Sequence, residues 1–96
     1  MFDKMKQLME MKKQADRIKK ELDACSIDIM EVQGIKLKIN GSQRVQSIEI
    51  DEQHLRSENK QKLERDLLRS FNAAIAKAQN LAAQKMKDIM PGFPGL

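Results

Sequence analysis

The stretch Ile35-Lys36-Leu37-Lys38-Ile39-Asn40-Gly41-Ser42-Gln43-Arg44-Val45-Gln46-Ser47-Ile48-Glu49-Ile50-Asp51 is where apolar and polar residues alternate with a period of two. Successive side chains of a strand point to opposite faces, so Ile35, Leu37 and Ile39 share one face and Lys36, Lys38 and Asn40 the other. Asn40-Gly41 offers two residues that tolerate positive φ and predicts a hairpin, with residues 45–50 returning as the partner strand. The step from Val45 to Ile48 breaks the alternation and predicts a bulge near Gln46-Ser47. Upstream, Ile27-Asp28-Ile29-Met30-Glu31-Val32 alternates as well, and Gln33-Gly34 turns it into the next strand. The centre of the chain is thus predicted to be a three-stranded antiparallel meander with one apolar face. Two open edges remain, and an uncovered edge invites pairing with a second subunit.

The flanking arms are patterned as helices. In the first, Leu8, Met11, Ala15, Ile18, Leu22 and Cys25 recur at spacings of three and four, a heptad seam for a helix over 3–25 with Asp3 as its N-cap. Cys25, on that seam, is read as a buried and inert thiol. Opposite the seam Lys6, Lys13 and Lys20 line up, with Lys12 and Lys19 on one flank and Arg17 nearby. Such a row is either a solvated helix back, softened by Asp16, Glu21 and Asp23, or a phosphate-contacting face.

After a turn at 51–55 a long helix begins at Asn59 or Lys60. Leu63, Leu67, Leu68, Phe71, Ala74, Ile75, Ala78, Leu81, Ala82, Met86 and Ile89 form its broad apolar stripe. Ala73, Ala76, Asn80 and Ala83 give a second, small-residue strip, so its middle is expected between the sheet and a neighbour. Lys62, Arg65 and Arg69 cluster in its first half.

Ninety-six residues set an upper limit of one small domain, predicted over 1–90, with 91–96 (Pro-Gly-Phe-Pro-Gly-Leu) as a mobile tail from which Phe93 can tuck into a groove. Only 3% of residues are aromatic, a thin supply of ring burial for a self-sufficient core. Oligomerisation is the usual remedy. Net charge is +4, and the basic excess lies on the arms: residues 1–24 hold seven Lys/Arg against five Asp/Glu, and residues 52–96 eight against five. A positive surface of this kind suits a polyanion.

Catalytic constellations are missing from the pattern. The four glycines at 34, 41, 92 and 95 make no phosphate loop, Cys25 has no base, and no carboxylate pair stands out. His54, the sole histidine, has no ligand partner at metal spacing and is read as surface decoration. The expectation is a non-enzyme with no cofactor, metal or small-molecule substrate. Too few rings are present to stack on unpaired bases. Charges interrupt the first segment, and no apolar run reaches ~20 residues, so neither a signal peptide nor a membrane span is expected.

The Met/Lys/Gln-rich opening at 1–20 joins with Ile39-Asn40-Gly41, Val45-Gln46-Ser47-Ile48-Glu49-Ile50-Asp51, Phe71-Asn72-Ala73-Ala74-Ile75-Ala76-Lys77-Ala78 and Lys85-Met86. Together these resemble the YbaB/EbfC family of bacterial nucleoid-associated proteins over most of the chain. One departure is the short Val32-Gln33-Gly34-Ile35 link, where the family usually has a Gly-rich one. The resemblance implies an α+β homodimer, intertwined or joined through its sheets, whose projecting helical arms bind double-stranded DNA in the cytoplasm and help organise the nucleoid and regulate genes. On this reading the DNA contacts are Lys6, Lys12, Lys13, Arg17, Lys19 and Lys20 on the first arm and Lys62, Arg65 and Arg69 on the second. They are expected to touch mainly phosphate, with weak sequence preference. The alternative is a prefoldin-like holdase, with Phe2, Met5 and Met9 as apolar arm tips. Membrane-surface binding is disfavoured by the mixed charge of the first helix.

Overall fold

A computed structural model describes residues 2–89, with side chains from Asp3 onward. The chain is α+β: helix α1 (Phe2–Ala24), strands β1 (Ser26–Val32), β2 (Ile35–Asn40) and β3 (Val45–Ile50), two short 3-10 turns, and helix α2 (Lys60–Ile89). The strands form an antiparallel meander in the order β1-β2-β3. The expected tail at 91–96, Phe93 included, lies outside the described residues, as does the side chain of Phe2.

The alternation in β2 does what its period dictates. Ile35, Leu37 and Ile39 are almost fully buried, while Lys38 is exposed. Helix α2 lies over β1 and β2. Its buried line is Ser70, Ala74 and Ala78, small residues that let the helix backbone approach the sheet closely. Ile29, Leu37, Ile39, Ala74 and Ala78 make the core, with Ile27, Phe71 and Ala73 packed against it. The Ser70 hydroxyl donates to the Asp66 carbonyl at 2.8 Å, so its burial leaves no unpaired polar atom. The stripe on α2 is narrower than the sequence suggested, because Leu68 and Ile75 stay 64% and 38% exposed. Of the small-residue strip, Ala73 joins the core, while Ala76, Asn80 and Ala83 are exposed.

Three local expectations need correction. Helix α1 starts at Phe2, so Asp3 lies inside its first turn, where a carboxylate suits the helix dipole, and is not its cap. Cys25 follows the helix and is half-buried. At the β2–β3 hairpin the residue with positive φ is Gln43 (65°). Asn40 ends the strand instead, its Oδ1 accepting the amides of Ser42 (3.0 Å) and Arg44 (2.9 Å). Gly41 serves a close approach: its N–H donates to the Leu22 carbonyl at 2.9 Å, and an added Cβ would lie 3.1 Å from that oxygen. The bulge falls where expected, with Gln46 the extra residue between the Lys38–Ser47 and Ile39–Val45 pairs. A second irregularity, between Ile29 and Val32, had no sequence signal.

His54 is also not decoration. Its ring is half-buried, with Nε2 3.1 Å from the Gln33 carbonyl, pinning the β1–β2 turn to the segment that leads into α2. Gly34 makes room for it: φ is 89°, and a Cβ there would lie 2.5 Å from His54 Nε2. Gly34→Ala is therefore expected to lower stability by about 1–3 kcal/mol, part collision and part left-handed backbone. In urea denaturation, Gly34→Ala/His54→Ala should shed only the collision part. A Gly34→Ala variant as stable as the parent would refute this role of the glycine.

Candidate nucleic-acid interface

The molecule is 67 Å long against 21 and 17 Å across, with a radius of gyration of 18.4 Å, where a compact chain of this length has about 12–13 Å. The elongation comes from the helices. Ile18 and Leu22 of α1 are buried, Lys85 of α2 lies 3.6 Å from Glu21, and every residue from Asp3 to Lys13 is exposed. The lower heptads of α1 thus pack within the chain, and its first eleven described side chains stand clear as an arm.

The six cations assigned to α1 are all exposed, but they do not share a face. At 100° per residue, Lys6, Lys13 and Lys20 fall on one line with a rise of about 10 Å between neighbours, and Arg17 sits beside it. Lys12 and Lys19 lie on one flank of the apolar seam, about 100–120° round the helix from that line, next to Met11, Ala15 and Leu22. Arg17 Nε is 3.3 Å from Glu21 Oε1. Among the described residues none of the five lysines has a carboxylate within 4 Å.

The second group sits at the far end. Lys62 Nζ bonds Asp66 Oδ2 at 2.7 Å, and Arg69 donates through Nε (3.3 Å) and Nη2 (3.1 Å) to Glu31 Oε1. Arg65 is exposed, with no ion pair among the described residues. Lys62 and Lys6 are separated by on the order of 50 Å of helix rise, counted down α2 to Lys85 and along α1 from Glu21. One subunit therefore does not bring the two groups together. Pairing in α2 was partly legible, since Lys62 and Asp66 are four apart, but Arg69–Glu31 joins α2 to β1 and had no local signal. Sequence reasoning also passed over Lys4, exposed on the arm, and Arg44, exposed on the hairpin at the foot of α1.

The hydrogen bond from Lys62 holds the Asp66 carboxyl below its ordinary value of 3.8, and the charges of Lys62, His54 and Arg65 add to it. A depressed carboxylate stabilises the fold fully above its unfolded pKa and loses that contribution as pH falls through the lower folded value. Asp66→Asn is thus expected to flatten the acid limb of a stability–pH profile below about pH 4 and leave its slope near neutrality unchanged. An unchanged acid limb would show that the ion pair is not coupled to folding.

Among the described residues no group of three or more His, Cys, Asp and Glu side chains gathers as metal ligands, and no helix is long and apolar enough to cross a membrane. The comparisons add the family. A 93-residue match, 32% identical, covers 96% of this chain and 93% of a protein from Chloroflexus aurantiacus named "Nucleoid-associated protein". A protein of the same name from Syntrophobacter fumaroxidans is 29% identical over 98 residues, covering 99% of this chain and 89% of its own. The family model described as the YbaB/EbfC DNA-binding family matches residues 1–93. With an exposed cationic arm on an α-β-β-β-α frame and that match over nearly its whole length, the chain belongs to the YbaB/EbfC DNA-binding family.

Proposed function

We propose that this protein binds double-stranded DNA as a homodimer, chiefly through phosphates and with weak sequence preference, and so contributes to nucleoid organisation and gene regulation in the cytoplasm. The observation that carries the reading is the line Lys6, Lys13 and Lys20 along an exposed arm, with no carboxylate within 4 Å among the described residues. Lys62, Arg65 and Arg69 are the second phosphate patch, already partly neutralised by Asp66 and Glu31. Exposed ion pairs of this kind contribute little, so phosphate can displace the carboxylates at small cost.

Support for the homodimer comes from apolar surface that one subunit leaves uncovered. Val45 and Ile48 belong to the helix-covered face of the sheet by register, yet they are 40% and 44% exposed, because α2 lies over β1 and β2. Leu68 and Ile75 are exposed on the flank of α2 away from Arg69, which reaches toward β1. A second subunit seated on β3 and that flank buries all four.

The test is a titration of the full chain with a duplex at several salt concentrations, with light scattering for mass. DNA affinity that falls steeply with salt, measured on a species of twice the chain mass, is the expected result. A monomer, or no affinity at low salt, would sink it. One observation favours the holdase as a second reading: Met5, Leu8 and Met9 are 62%, 66% and 61% exposed on the arm. Suppression of client aggregation at high salt, with no DNA shift at low salt, distinguishes it.

A further inference from the structure

Between α1 and the end of α2 runs a groove of about 540 Å³. It is lined by Met11, Ala15, Ile18 and Leu22 from α1, Met86 from α2 and Ser42 from the β2–β3 hairpin, with Lys12 and Lys19 beside them. Phosphate gains nothing from an apolar floor, which lies on the opposite side of α1 from the Lys6–Lys13–Lys20 line, and these two lysines stand about 100–120° round from that line, beside the seam. A polyanion laid on that line does not occupy the groove.

The geometry points to a protein partner: an amphipathic helix, with acidic residues on one flank, that packs into this groove as a third helix beside α1 and α2. Four features carry the assignment. The floor continues the heptad seam whose lower residues, Ile18 and Leu22, already pack inside the chain, so the surface has the spacing that receives another helix. The two methionines are unbranched and adaptable, suited to accepting more than one apolar side chain. Lys12 and Lys19 are seven residues apart, one heptad, so carboxylates at the same interval on an incoming helix meet both. Ala15, placed between the lysines, is small enough to admit a larger residue from the partner.

The test uses the full chain and two designed, end-capped peptides of about three heptads, with Leu at the seam positions. One carries Glu at seven-residue intervals on one flank; the other carries Lys at the same places. Fluorescence anisotropy should show saturable binding of the Glu peptide and binding of the Lys peptide weaker by at least about tenfold. Lys12→Glu/Lys19→Glu should invert that preference, and Ala15→Glu should abolish binding of both. Lys13→Glu/Lys20→Glu, on the other face, should keep the peptide affinity within about twofold while losing DNA. That variant separates this proposal from the DNA reading, since either can fail without the other. Equal binding of both peptides, or no binding, overturns the proposal. So does peptide binding that splits a dimer in light scattering, which would assign the groove to a second copy. Flotation of anionic phospholipid vesicles dependent on Lys12 and Lys19, without peptide binding, would assign it to a lipid surface.

Discussion

Replacing Lys13, Arg17 and Lys20 together with glutamate is expected to abolish duplex binding in a gel-shift titration. Each cation that neutralises a phosphate contributes about 0.9 to the slope of log affinity against log salt, so losing three lowers the slope by nearly 3 for each subunit in contact with the duplex. Reversal adds repulsion to that loss, and affinity at about 50 mM salt should fall at least ~100-fold. Arg17 is the weakest of the three, because Glu21 already holds its Nε at 3.3 Å. Lys13→Glu/Lys20→Glu alone should therefore show most of the effect. All three residues are exposed, so the variant should fold as the parent does. Unchanged affinity and slope would remove this face of α1 from the interface.

Leu37→Ala is expected to have the largest effect on the fold. Leu37 is fully buried at the centre of the middle strand, paired with Ile29 on one side and Ile48 on the other, and α2 lies over that face. Truncating such a residue costs about 2–5 kcal/mol in lost transfer energy and cavity, against a total stability of about 5–15 kcal/mol for an ordinary domain. The denaturation midpoint in urea should drop accordingly, with the slope of the transition unchanged. Met30→Ala, on the outer face of the sheet and 71% exposed, should change stability by less than about 0.5 kcal/mol. Similar midpoints for the two variants would show that the core lies elsewhere.

What the sequence revealed, and what it hid, divides along the range of the interactions. The period of Ile35, Leu37 and Ile39 and the skipped beat at Gln46 are local patterns, and both appear in the folded sheet. Helix α2 was legible in its extent and in the centre of its contact face, where Phe71, Ala74 and Ala78 meet the core, but not in the width of that face: Leu68 and Ile75 carry the right period and stay exposed. Asn40-Gly41 announces a turn, yet Gln43 is the residue that takes positive φ, while the Gly41 amide goes to the carbonyl of Leu22, far away in sequence. His54 looked isolated because its partners, Gln33 and Gly34, come from another turn. For the candidate interface, heptad arithmetic put Lys6, Lys13 and Lys20 on one line of α1, and the helix runs unbroken through all three. It offered no way to see that Arg69 is engaged by Glu31 or that Lys12 and Lys19 border a groove.

The arm of α1 is a cantilever. Its free length is the segment up to Lys13, and its clamp is the patch where Ile18 and Leu22 are buried and the Gly41 amide holds the Leu22 carbonyl. A load at the tip reaches the sheet as torque about that clamp. The direction of that lever is accordingly set by the hairpin at its root, and a lesion at Gly41 would re-aim the tip without touching a single lysine.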